Sequence, residues 1–485
     1  MTDGTSASPL PVATTAARVR DPIVPQRAVL VLPTTAEYDS RTYRIASALV
    51  ARGHDVTVLA RLRAGLPADE RHAAGYRIVR VPVAAIEGLP FPGTVRRGRV
   101  AIRRLYAWRS GTPYRPVPPL GSWPETRSAD APASSQGAGD DDAAARPAPA
   151  SASLPRRVLS GVMRRLAIPL TIRSQMRASR AAGPPADLYH GMAYMGIPIA
   201  LDLGRRHRGR VVYDARDIYI DAANLARMPR TLRVLIGRAE RRWARRADRV
   251  ITVNRPYAEV MAHRWAVDLP LIVMNCAYRT EGPEPRPRRL HEALGLTPAT
   301  RVVLYQGGFS RDRGIEQLIA AIPSIPDAVL ALLGYGALQA ELEAIAADPA
   351  TGGRVRVLPA VPPTELLGWV ASADVVAMPI QPTTLNHRLT TPNKLFEAIA
   401  VGVPVVASDL PGMAPTVREV DAGLLVDPTD PAAIAAACRA LLDEPAEAAA
   451  ERRRRILSAA HATYNWETQM SRLLDEYGRL TGRPW

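Results

Sequence analysis

The chain has 485 residues, enough for two or three domains, and its 47% hydrophobic and 22% charged content is that of an ordinary globular protein. Cys276 and Cys438 stand far apart and form no metal or redox motif, which excludes a disulfide-rich secreted scaffold and favours a reduced, cytoplasmic setting. The net charge of +17 suits an anionic membrane, an anionic substrate or nucleic acid, but the 5% of aromatic residues is not clustered for base stacking, which disfavours nucleic acid.

Residues 1–26 are small, polar and proline-containing. They lack the apolar core of a signal peptide and are expected to be a disordered tail. No run of 18 apolar residues occurs, so no membrane-spanning helix is expected. Ala28 to Leu32 reads as a strand, Pro33 to Ser40 as a loop, Arg41 to Arg52 as a helix and Val56 to Leu59 as the next strand. This β-α-β start implies a parallel sheet. Its first loop has no Gly-x-Gly-x-x-Gly, which disfavours a dinucleotide site there.

Residues 90–180 break the rhythm. A low-complexity, Pro/Ala/Ser/Gly-rich insert at about 112–155 carries Asp140-Asp141-Asp142 and is expected to be unstructured. Pro155 to Ala182 then interleaves seven arginines with apolar residues, is interrupted by Pro169, and has no acid between Ala143 and Ala186. Two readings stay open: a basic amphipathic segment on an anionic membrane surface, or a helix packed on the sheet with a solvated basic face.

The α/β pattern resumes at Asp187-Leu188-Tyr189-His190, with His190 at a strand end. Val211 to Asp214 is a strand, followed by Ala215-Arg216-Asp217. Strand ends in such sheets carry binding residues, so Asp214 and Asp217 are candidates for acceptor hydroxyls or for helix N-caps. Thr231 to Asp248 is a strongly basic helix, Ala247 to Val253 a strand, Leu271 to Asn275 the last strand of the first half, and Glu281 to Arg289 a Pro/Arg-rich linker.

The second half opens with strand Val302 to Gln306 and the run Gly307-Gly308-Phe309-Ser310-Arg311-Asp312-Arg313-Gly314, whose glycines let a phosphate approach the backbone. Strands Val329 to Leu333 and Val355 to Leu358 end in Gly334-Tyr335-Gly336 and Pro359-Ala360-Val361-Pro362. Strand Ala373 to Met378 leads into a loop, Pro379 to Leu389. Thr390-Thr391-Pro392-Asn393 then opens a helix whose Leu395, Phe396, Ile399 and Ala400 share one face. Gly402 ends it, and Val405-Val406-Ala407 is a buried strand. Lys394, in the first helical turn, is the single lysine among 63 basic residues. A lone lysine in an arginine-biased chain marks a place for a compact ammonium rather than a planar fork, and a helix N-terminus attracts phosphate. Helices Pro431 to Leu442, Ala446 to Tyr464 and Trp466 to Leu480 close the chain.

The stretch Pro392-Asn393-Lys394-Leu395-Phe396-Glu397, with Gly402-Val403-Pro404-Val405-Val406 after it, resembles the donor site of GT-B glycosyltransferases, specifically family 4 of the retaining enzymes. The resemblance covers nearly the whole chain outside residues 1–26 and 90–180. It implies an α/β fold of the GT-B kind, two doubly wound Rossmann-like domains with an interdomain cleft. An acceptor-binding domain would span 27–275 and a nucleotide-sugar-binding domain 276–460, with a C-terminal helix in 461–485 crossing back to the first domain. The implied activity is transfer of a sugar, with retention, from a UDP- or GDP-linked donor to a glycosyl acceptor. No cofactor is implied, and no metal, since no ordered Asp-x-Asp is seen to hold one.

The resemblance also implies roles. Lys394 and Arg313 would lie on the donor diphosphate and Glu397 on the ribose, with Thr391, Asn393 and Leu395 beside them. Gly307 and Gly308 would border the phosphates, and Gly334, Tyr335 and Val361 the base. Thr34, Thr35, Tyr38 and His190 are the acceptor-side candidates, and Arg216 and Asp217 complete the catalytic set. Three positions depart from the family pattern. Arg216 stands where a histidine is frequent, Gly308 where an arginine is usual, and Leu389 where the first of two glutamates seven residues apart belongs. That first glutamate would touch the donor sugar; with leucine there, Asn386, His387, Thr390 and Thr391 are the side chains left to do so. The rival readings are a non-catalytic GT-B scaffold and a nucleotide-sugar epimerase of related fold.

Overall fold

The computed structural model describes residues 24–37, 39–84, 154–226, 228–282 and 285–485, with backbone alone for 154–167, 223 and 224. Eight strands form the first sheet: β1 (Arg27–Val31), β2 (Asp55–Arg61), β3 (Asp69–Arg71), β4 (Arg77–Val81), β5 (Leu188–Met192), β6 (Arg210–Asp214), β7 (Arg249–Thr252) and β8 (Leu271–Ile272). Their order is β3-β4-β2-β1-β5-β6-β7-β8, parallel except for β3, which pairs antiparallel with β4 at the edge. The strands are apolar on both faces, as a parallel sheet covered on both sides requires. In β1, Ala28 and Leu30 enter one core and Val29 and Val31 the other.

Among the described residues before the second sheet, the helices are α1 (Ser40–Val50), α2 (Leu154–Ala182), α3 (Ala193–His207), the single turn α4 (Ala223–Ala226), α5 (Arg230–Ala244) and α6 (Arg255–Trp265). α1 covers one face, while α2, α3, α5 and α6 cover the other. α2 runs through Pro169, where the sequence reading expects an interruption. Pro169 is exposed, so the hydrogen bond its missing N–H forgoes lies on the solvent side. Gln26, which the sequence reading places in the tail, is fully buried. Its backbone N–H donates to His54 Nδ1 and its side chain to the Pro484 carbonyl. Residues 1–23, Tyr38 and residues 85–153, which include most of the low-complexity insert, lie outside the described residues.

The second sheet is wholly parallel, in the order β11-β10-β9-β12-β13-β14, from β9 (Arg301–Gly308), β10 (Ala328–Tyr335), β11 (Val355–Pro359), β12 (Val375–Met378), β13 (Val405–Ser408) and β14 (Gly423–Val426). Its helices are α7 (Arg289–Leu294), α8 (Ile315–Ala321), α9 (Gln339–Ala347), α10 (Leu366–Ala371), α11 (Leu385–Leu389), α12 (Asn393–Val401), α13 (Ala414–Val420), α14 (Pro431–Leu442) and α15 (Ala446–Ala462). α11 lies in a stretch that the sequence reading assigns to loop. Thr384 caps it by accepting from His387 N, a side-chain cap that supports even a one-turn helix. Gly402 takes the left-handed C-cap of α12 at φ 70°, with its N–H returned to Ala398 and Ile399.

The last helix, α16 (Trp466–Thr481), buries Trp466, Met470, Leu473, Leu474 and Tyr477 in the core under the first sheet, not the second. The sequence therefore leaves the first domain, builds the second and returns. Strand order reverses between β1 and β5 in one sheet and between β9 and β12 in the other. Open α/β sheets bind ligands outside the strand C-termini at such reversals.

Candidate functional site

At the β9/β12 reversal the first turn of α12 faces the end of β9. Lys394 is 2% exposed, and its Nζ lies 3.5 Å from the centroid of the Tyr305 ring. The Tyr305 hydroxyl in turn donates to the Gly308 carbonyl at 2.9 Å. Burial pushes the Lys394 ammonium well below its ordinary pKa, and the Arg313 charge pushes the same way; Glu397 partly opposes both. Arg313 makes no ion pair among the described residues. Its charge also acts on His387, whose pKa is lowered to about 4, chiefly by burial. Arg313 and Lys394 thus form an under-neutralised cationic pair, and the lowered pKa of His387 keeps that neighbour neutral. Gly314 follows Arg313 at φ 79°, and a Cβ there would come within 2.0 Å of the Pro379 carbonyl oxygen, so glycine holds this loop against the end of β12.

Beside the cluster, a pocket at the ends of β9, β10 and β11 is lined by Gly307, Gly308, Gly334, Tyr335, Val361 and Glu397. A Cβ on Gly308 would meet nothing within 4 Å, so open space stands where the family pattern carries an arginine. Glu397 is buried, which raises its pKa; Arg44, Gln306 and Lys394 oppose the rise. Gln306 also lines this pocket, and sequence reasoning misses it. It is 2% exposed, its Nε2 donates to Glu397 Oε2 at 3.5 Å, and its Oε1 is buried without a partner. The signal for it is a polar residue closing the apolar run Val302 to Tyr305. Leu395 does not offer a side chain to this pocket, since it points into the second-domain core.

The two domains meet on asparagines. Asn386 Oδ1 accepts from Ile218 N at 2.8 Å and from the Tyr257 hydroxyl at 2.7 Å, and its Nδ2 donates to Asp217 at 3.1 Å. Asn254 donates to the Leu389 carbonyl at 2.8 Å and to Thr391 Oγ1 at 2.9 Å, and Thr391 donates on to the Gly412 carbonyl. Asn275 donates to Asn393 Oδ1 at 2.8 Å. Leu389 packs against the first-domain core, so the position that lacks the family's glutamate is an apolar interdomain contact. Arg44, from α1, bonds Asn275 and the Cys276 carbonyl and stacks on Trp466 with its guanidinium 5.6 Å from the ring. Nothing local in the sequence marks Arg44 or Asn254 for these contacts.

Several sequence candidates have other employment. Arg216 is held by both oxygens of Asp39 at 2.9 Å, and Asp39 also caps α1, so this charge is neutralised inside the first domain. His190 does not reach an acceptor surface. It is fully buried mid-strand, between Asp214 at 3.2 Å and the Tyr477 hydroxyl at 2.5 Å. Asp214 pairs with the equally buried Arg41 at 2.7 Å. Thr35 bonds Glu37, and Thr34 Oγ1 is buried without a partner. Asp217 stays at the cleft; burial raises its pKa, opposed by Asn386, Arg216 and Arg313. Among the described residues, no group of three or more His, Cys, Asp or Glu side chains is placed to hold a metal ion.

Residues 300–444 match the family model described as "Glycosyl transferases group 1". The match covers most of the second domain. A D-inositol 3-phosphate glycosyltransferase of Xylanimonas cellulosilytica is 33% identical over 202 residues, 40% of this chain and 46% of that protein. The chain thus spans about half the length of the curated relatives it matches. Solved structures extend the likeness to 94% of the chain. They include a sucrose-phosphate synthase from Thermosynechococcus elongatus, at TM-score 0.63, 20% identity and 99% coverage of that chain. Another is Anabaena HepE in complex with UDP-glucose, at TM-score 0.57, 15% identity and complete coverage. Together the two domains have the GT-B fold. The buried Lys394 and Glu397 and the partly exposed Arg313 all fall inside the matched residues.

Proposed function

We propose that the protein transfers a sugar, with retention and without a metal, from a UDP- or GDP-linked donor to an acceptor held by the first domain. The observation that carries this reading is Lys394, a buried ammonium at the start of α12 with no ion pair among the described residues, its Nζ over the Tyr305 ring. A buried cation without a counter-charge is costly. A diphosphate between Lys394, Arg313 and the free N–H groups of α12 would supply that charge. The same groups would then stabilise the negative charge that develops as the glycosidic oxygen leaves.

Glu397 and Gln306 would hold the ribose. Gly334, Tyr335 and Val361 would border the base, and Asp217 with Asn386 would face the transferred sugar from across the cleft. The likeness to a structure containing UDP-glucose supports a uridine donor; GDP is the alternative. The acceptor would enter past Thr34 and Thr35. We place the protein in the cytoplasm, consistent with two buried free cysteines, working at an anionic membrane face.

Calorimetric titration with UDP, GDP and ADP, repeated on Glu397→Ala, tests the reading. Micromolar binding of one nucleotide, lost in the variant, is the expected result. Absence of binding to all three would favour the scaffold reading, for which the neutralised Arg216 and the apolar Leu389 speak.

A further inference from the structure

The helix α5 is built differently from the arginine-rich helix α15. In α15, Arg452 pairs with Glu444 and Asp421, Arg454 with Glu451, and Arg455 with Asp421, so its charge is balanced locally. In α5 the inward residues Ile236, Glu240 and Ala244 are buried, and Glu240, the helix's single acid, is taken by the Tyr213 hydroxyl at 2.7 Å. Arg233 is taken by Asp221 and the Ile220 carbonyl. The outward face is left with Arg238, Arg241, Arg242 and Arg245, all exposed and none in an ion pair among the described residues, with Arg230 and Arg246 exposed at either end. The same face exposes Val234 and Leu235, at 41% and 60%. Two adjacent large aliphatics in water beside an unbalanced row of arginines are not what a merely solvated helix face needs.

We propose that this face of α5 docks the protein on an anionic lipid bilayer. The occupant is fixed by charge and polarity together. Guanidinium groups meet lipid phosphates, and Val234 and Leu235 enter the boundary between headgroups and acyl chains. Nucleic acid would use the arginines but leave the aliphatics in water, and no aromatic ring stands on this face to stack on bases; Trp243 is half-buried. The position of α5 gives the docking a consequence for the cleft. Arg233 ties its N-terminal end to the 3-10 turn Tyr219–Asp221, which lies two residues after Asp217. Docking would bring this lip of the cleft to the membrane, where an acceptor embedded in the bilayer would be presented. The inference rests on, and names the surface for, the anionic membrane face in the proposed function; it does not need the transfer reaction.

The test uses the full chain and vesicles of phosphatidylcholine alone or mixed with phosphatidylglycerol, with co-sedimentation as readout. Two surface variants are compared, Val234→Ser/Leu235→Ser and Arg238→Gln/Arg241→Gln/Arg242→Gln/Arg245→Gln. Each keeps the buried face of α5, and nucleotide titration checks the fold. Wild type is expected to bind the anionic vesicles at least about tenfold more tightly than the neutral ones, and to weaken in 0.5 M salt. The arginine variant should lose about tenfold or more, and the aliphatic variant several-fold. No binding by wild type, or equal binding by all three proteins, overturns the proposal, the latter by assigning the membrane contact to other residues. Loss in the arginine variant alone, with single-stranded RNA competing fully, overturns it in favour of a polyanion site. Retained nucleotide binding in any of these cases leaves the donor reading standing.

Discussion

Lys394 Nζ sits 3.5 Å above the centroid of the Tyr305 ring, buried, in a chain with no other lysine. The ring supplies the attraction that a carboxylate would supply elsewhere, and it does so without neutralising the charge. Glu397, one turn on, is the acid that acts on it, and Arg313 works against the ammonium.

Lys394→Ala is therefore expected to lower turnover by about a hundredfold or more while leaving the fold intact. Lys394→Arg should not restore it, because a planar fork does not fit the buried space over the ring. The depressed pKa adds a second readout. Diphosphate binding should raise the pKa again, so binding is expected to be accompanied by proton uptake. Titration calorimetry in two buffers of different ionisation enthalpy measures this uptake, which Lys394→Ala should abolish.

Gln306 presents a buried Oε1 with no partner and an Nε2 donor to Glu397. Gln306→Leu removes the donor and the waiting acceptor but keeps the bulk. Nucleotide affinity should fall about tenfold, the worth of one hydrogen bond in a desolvated site, while kcat changes little. An unchanged dissociation constant would show that Gln306 is core and not site.

Asn386 satisfies Ile218 N, the Tyr257 hydroxyl and Asp217 at once. Asn386→Ala takes this partner from Ile218 N and Asp217, while the Tyr257 hydroxyl keeps the main-chain carbonyl of residue 386; it should cost about 1–3 kcal/mol, read as a lower melting temperature and a loosened domain pair in solution scattering.

Leu389→Glu would rebuild the family's glutamate pair on paper. Here it would press a carboxylate against the first-domain core, so we expect destabilisation by about 1–3 kcal/mol and no gain in activity. A more active Leu389→Glu would show that the domains part at this contact during turnover.

Glu240 carries a pH dependence. Burial raises its pKa from 4.5 to about 7, opposed in part by the Tyr213 hydrogen bond and by Arg264. The folded state thus holds a proton that the unfolded chain releases earlier. The resulting stability is present below pH 4.5 and is lost as pH rises through about 7, a change of about 3 kcal/mol. Glu240→Gln keeps an acceptor for Tyr213 and removes the titration. Its melting temperature should match wild type near pH 4.5 and exceed it at pH 8.

How far the sequence can be read depends on how local each cause is. The apolar runs of β1, β9 and β13 and the glycine that ends α12 rest on neighbours within a turn or two, and they fall where the pattern puts them. The cap that makes α11 a helix is equally local, a threonine three residues before His387, but a single turn is too short to show a helical period. Pro169 is a weaker breaker than the sequence suggests, because a proline on the exposed side of a long helix costs one hydrogen bond and does not force a break.

The sequence by itself determined two α/β halves, the loop-helix-strand unit around Lys394 and the glycine-bordered strand ends, because periodicity, caps and turns are set by adjacent residues. Only the tertiary structure decided which charges remain free. Arg216 and Asp39 lie 177 residues apart in the chain and neutralise each other, His190 finds Tyr477 across 287 residues, and Asn386 finds Tyr257 across 129. Among the described residues, Lys394 and Arg313 find no such partner. Pairing of this kind depends on which strand ends and helices the sheet order brings together, and no local pattern encodes that order.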